Sequence, residues 1–127
     1  MAPIASAYES FTATLLGTSY NASTGSVNVS VATRYSNTEC TEDSCDLSVA
    51  VLFRVRAGSS TTGPVIAKAY RETGRSRPIL GATFSAPKCS LLPRGYRQTY
   101  TIEMVAESPT GEQKSSRTFF TVRSCRS

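Results

Sequence analysis

The stretch Leu47-Ser48-Val49-Ala50-Val51-Leu52-Phe53-Arg54-Val55-Arg56-Ala57 decides how the chain is read. Its apolar residues Leu47, Val49, Val51, Phe53 and Val55 recur at every second position. That period belongs to a strand with one face buried, whereas a helix repeats its apolar positions three and four residues apart. Arg54 and Arg56 fall on the opposite face, where their charges stay in water.

The same alternation runs outward from this stretch. Over about 26–35, Val27, Val29, Val31 and Thr33 alternate with Asn28, Ser30, Ala32 and Arg34. Over about 97–107, Tyr100, Ile102, Met104 and Ala106 point inward against Thr101, Glu103 and Val105. Over about 117–124, Phe120 and Val122 point inward, with Arg117, Phe119, Thr121 and Arg123 outward. Phe11, Ala13 and Leu15 mark one face of a strand at about 8–16, and shorter strands fall at about 64–71 and 79–86. Glycine, proline, serine and asparagine gather between them, at 21–25, 58–64, 73–78 and 108–111, where turns need them. No segment keeps a helical period. Seven strands so spaced predict an all-β, antiparallel β-sandwich in one domain over 1–127, with 1–7 as a flexible N-terminal segment.

Composition fits that class and excludes others. The 127 residues are 39% hydrophobic and 18% charged, enough apolar surface for a core and too much for a disordered chain. No apolar run is long enough to span a bilayer as a helix, so no membrane insertion is expected. The chain holds no histidine, so it lacks the commonest general base and the imidazole metal ligand. No nucleophile and base stand in a catalytic pattern, and no glycine loop cradles a phosphate. An enzyme is not expected, and no cofactor or metal is implied. Basic helices and RNA-recognition signatures are absent, which argues against nucleic acid.

The net charge of +5 is unevenly spread. Residues 1–46 carry one base, Arg34, against five acids, a net of −4; residues 47–127 carry thirteen bases against four acids, a net of +9. Four of the acids, Glu39, Glu42, Asp43 and Asp46, lie in one short stretch. They read as an acidic docking loop, with calcium the lesser alternative because the EF-hand spacing is missing. An acidic loop and a basic face also allow copies of the chain to associate.

Cys40, Cys45, Cys89 and Cys125 form an even set without metal-ligand spacing, which predicts two disulfides and an oxidising, extracellular compartment. Three connectivities are open. The expected one joins Cys40 to Cys45 and Cys89 to Cys125, because a hairpin of the last two strands brings residue 89 beside residue 125. Ala5-Ser6-Ala7 has the small-residue form of a signal-peptidase site, and Asn21-Ala22-Ser23 and Asn28-Val29-Ser30 fit the glycosylation triplet.

Leu92-Pro93 followed by Tyr100-Thr101-Ile102-Glu103-Met104-Val105-Ala106 resembles the fibronectin type III pattern, within the wider immunoglobulin-like class. That resemblance implies a tyrosine corner, in which the hydroxyl of Tyr100 or Tyr96 closes onto nearby backbone. It also implies that the strands at about 47–57, 97–107 and 117–124 share a sheet. The outer face of that sheet would carry Arg54, Arg56, Arg117, Phe119 and Arg123, extended by Lys68 and Tyr70. Such a face suits a secreted or cell-surface adhesion module that binds an acidic protein or an anionic polysaccharide. A merely solvated outer face is the plain alternative, as is a spacer domain in an extracellular assembly.

Residues 89–95 offer another reading. Cys89-Ser90-Leu91-Leu92 is similar to the disulfide-held reactive loop of secreted serine-protease inhibitors of the subtilisin-inhibitor type. That similarity implies that Ser90, Leu91 and Leu92 form an inhibitory loop, with Leu91 entering the protease pocket.

Overall fold

Alternating valines form the centre of the molecule because each strand can bury one face against the other sheet. A computed structural model describes residues 10–36, 49–60, 62–73 and 79–126. Its strands are β1 (Ser10–Tyr20), β2 (Ser26–Ser36), β3 (Val49–Ala57), β4 (Val65–Thr73), β5 (Ile79–Ser85), β6 (Arg97–Glu107) and β7 (Gln113–Arg123). They pair antiparallel in two sheets, β1-β2-β5 and β4-β3-β6-β7. β1 lies beside β7 and β4 beside β5, so the sheets meet along both sides in a sandwich-like arrangement.

Between the sheets lie Val27, Val29 and Val31 of β2, Val51, Phe53 and Val55 of β3, and Ile102, Met104 and Ala106 of β6. Phe53, Ile102, Met104, Val27 and Val51 are fully buried. Each such side chain contributes about 1.5–3 kcal/mol relative to leaving it in water. The inward faces expected for these three strands are the ones observed.

β1 runs four residues beyond its expected end. Its register with β2 shifts between Leu15 and Gly17, and Gly17 takes a positive φ of 128°. This bulge reverses which positions face inward, so Leu15 and Tyr20 both pack on the core while Leu16 is exposed. β7 begins four residues before its expected start. Gln113, Lys114, Ser115, Ser116 and Arg117 are all exposed, so hydrogen bonding to β6 rather than burial makes them strand.

Cys89 and Cys125 form a disulfide with Cα atoms 5.1 Å apart. Ser124 N–H donates to Tyr96 O at 3.0 Å, tying the end of β7 to the approach to β6. The Cys40–Cys45 pairing and the acidic residues Glu39, Glu42, Asp43 and Asp46 lie outside the described residues, as does the 1–7 segment. Among the described residues, one 3-10 turn, over Cys89–Leu91, stands beside the strands.

The hydroxyl that closes onto backbone belongs to Tyr20, which donates to Pro87 O at 2.7 Å. Tyr100 instead stacks on Phe120 with ring centroids 5.3 Å apart. Tyr20 also packs on Phe120, at 6.0 Å, so three rings close this end of the sandwich. Among the described residues, no helix is long and apolar enough to cross a membrane.

Candidate ligand-binding face

The pairing of β4, β3, β6 and β7 sets the outward side chains in rows across the sheet. Lys68, Arg54, Glu103 and Arg117 form one row, because Arg54 opposes Lys68 on one side and Glu103 on the other, and Glu103 opposes Arg117. The next row toward one end holds Tyr70, Leu52, Val105 and Ser115. On the other side, Arg56, Thr101 and Phe119 align, followed by Thr99 with Thr121 and finally Arg97 with Arg123. All seven residues expected on this face therefore share it. Neighbouring strands are about 4.8 Å apart, so each row places its charges within reach of a single extended ligand.

The cations are not equivalent. Glu103 Oε1 accepts from Arg56 Nε at 3.3 Å and Nη2 at 3.2 Å, while Arg56 Nη1 donates to Gly63 O at 2.8 Å. With its side chain only 15% exposed, Arg56 is committed to the fold. Arg54 Nε sits 3.5 Å from the same carboxylate oxygen and has no hydrogen bond, so one acid faces two guanidinium groups. Lys68 and Arg117 flank this cluster without an acid partner among the described residues. Arg117 stacks over the Phe119 ring at 5.9 Å, which leaves the ring 44% exposed and places a cation on its π face.

One outward residue, Thr101, behaves differently from the sequence expectation, while Tyr70 extends the face as expected. Thr101 is completely buried, with its hydroxyl donating to Gly58 O at 2.8 Å, because the β3–β4 turn folds over it. Tyr70 is 56% exposed and donates to Glu72 Oε1 at 2.9 Å. That hydrogen bond, foremost, raises the phenol above its ordinary value. Arg97 was not singled out from the sequence, yet it faces Arg123 directly across β6 and β7. The signal was available in the hairpin: a turn closing between Glu107 and Gln113 fixes every later pair, including this one.

No family model, curated protein or solved structure matches the chain.

The loop before β6 has a different character from the face. Leu91 is 71% exposed, while Leu92 is buried. Cys89 O accepts from Leu92 N–H and Cys125 N–H, Ser90 O from the Arg126 guanidinium, and Leu92 O from the Ser124 hydroxyl. Ser90 and Leu91 sit in a tight 3-10 turn in which the Cys89 and Ser90 carbonyls are already engaged. A protease cleft pairs with extended backbone, so this geometry counts against the inhibitory reading of Ser90, Leu91 and Leu92. Both glycosylation triplets begin on exposed asparagines. The Asn21 side-chain oxygen accepts from Ser23 N–H and Thr24 N–H, and that of Asn28 from the Thr83 hydroxyl.

Proposed function

We propose that the protein is a non-catalytic, secreted or surface-displayed binding module that holds an acidic partner against the outer face of β4-β3-β6-β7. The observation that carries this reading is the surplus of fixed cations. Glu103 is shared by Arg54 and Arg56, while Lys68, Arg117, Arg97 and Arg123 have no carboxylate partner among the described residues. Cations on a flat sheet raise the local concentration of an acidic ligand and speed its encounter. The architecture supports an immunoglobulin-like assignment. The first, second and fifth strands group in one sheet and the third, sixth and seventh in the other, as in that class. The fourth strand pairs with the third, unlike the immunoglobulin constant type. The Cys89–Cys125 disulfide suits an oxidising exterior.

The test uses charge reversals that alter net charge equally. The protein is passed over immobilised sulfated polysaccharide and immobilised polyglutamate, beside the R117E and R34E variants; Arg34 is exposed on β2 of the other sheet. Retention on at least one acidic resin, lost in R117E and kept in R34E, is the expected result. Equal loss in both variants would show that only overall charge matters and would refute the face.

A further inference from the structure

We propose that the ligand is a linear sulfated or uronate-bearing polysaccharide lying along β7, anchored by the facing pair Arg97 and Arg123 at one end and Arg117 at the other. This rests on the preceding reading and narrows it to one ligand class and one half of the face.

The pair Arg97–Arg123 begins the argument. The two arginines are directly opposed in register, both exposed, and neither side chain makes a hydrogen bond or ion pair among the described residues. Like charges directly opposite on a sheet destabilise it. The nearest acid on this face of the hairpin is Glu103, six residues along β6 and already shared by Arg54 and Arg56. An anionic group resting between two guanidinium forks removes the repulsion and gains charge-assisted hydrogen bonds.

The surroundings favour a sugar polymer over an acidic protein. From Arg123 to Arg117, β7 presents Thr121 and then Phe119 on the same face. Six residues of strand span about 20 Å, so the end cations are spaced for an extended chain rather than one small anion. The Thr121 hydroxyl, 3.2 Å from that of Thr99, offers a polar partner for sugar hydroxyls. The half-exposed Phe119 ring offers an apolar surface for the face of a sugar ring. The groups that a protein partner would anchor on, Tyr70 of β4, Leu52 of β3 and Val105 of β6, form a row beyond Arg117, outside the stretch from Arg123 to Arg117. Lys68 lies on β4, at the opposite edge of the sheet from β7.

Binding of a heparin-type polysaccharide is measured by calorimetry for the wild type and for the single reversals R97E, R117E, R123E, K68E and R34E. R97E, R117E and R123E are expected to weaken binding about five- to tenfold, with K68E and R34E changing it less than about twofold. R97E is also expected to raise the melting temperature while it weakens binding, because it turns a repulsive pair into an attractive one. A loss of affinity together with a gain in stability is not the behaviour of a damaged fold. Polyglutamate is the competing probe. If it binds as tightly as the polysaccharide and K68E and Y70A weaken it most, the polysaccharide track is overturned while the acidic-ligand face stands. If every reversal matches R34E, the track and the face fall together.

Discussion

Glu103 occupies the point where structure and binding compete. Its carboxylate neutralises Arg56 and lies against Arg54, so it keeps two guanidinium groups ordered on a face where cations outnumber acids. Removing its charge leaves both arginines repelling each other and the largely buried Arg56 without its counter-charge. E103Q should therefore lose about 1–2 kcal/mol in urea unfolding, between the value of an exposed pair and that of a buried one. An unchanged midpoint would show that the cluster is held by backbone alone. At this scale the sequence revealed the arginines but not their inequality. Arg56 and Arg54 look alike in an alternating strand, and only the Gly63 carbonyl and Glu103 separate them. Thr101 was equally opaque, since its burial depends on a turn more than forty residues away in the chain.

Among the elements, the β6–β7 hairpin and its disulfide do most to fix the proposed track. Cys89 and Cys125 are 36 residues apart, so their bond removes substantial freedom from the unfolded chain. The C89S/C125S variant should be less stable by about 3–4 kcal/mol on the chain-entropy account, measured by urea unfolding without reductant. A loss below 1 kcal/mol would indicate that the hydrogen bonds of Ser124 and Cys125 suffice. Strand identity was legible wherever one face was buried, as with Val27, Val29 and Val31 or Ile102, Met104 and Ala106. It failed where that condition failed. The bulge before Gly17 reversed the alternation of β1, and the polar start of β7 had no buried face to announce it.

The whole molecule is closed at one end by Tyr20, Tyr100 and Phe120. Burial raises the phenols of Tyr20 and Tyr100 above the usual value near 10, and the Tyr96 hydroxyl adds to the effect at Tyr100. The folded state then holds these protons more tightly than the unfolded chain. Their contribution to stability is present below about pH 10 and declines as pH rises through the folded values. Melting temperature should fall from pH 10 upward, and Y20F should flatten that fall. A melting temperature independent of pH over this range would contradict the packing of the ring cluster. The sandwich-like layering itself was readable from strand count and spacing. Which outer face carried the free charge required the sheet order, because the rows from Lys68 to Arg117 and from Arg97 to Arg123 exist only once four strands lie side by side.

The most direct measurement is an amide chemical-shift titration of the labelled protein with a soluble sulfated oligosaccharide. The account predicts saturable shifts confined to Arg97, Thr99, Arg117, Phe119, Thr121, Arg123 and their neighbours, with β1-β2-β5 unmoved. Saturable shifts centred on β2 and β5, or none at any concentration, would contradict it.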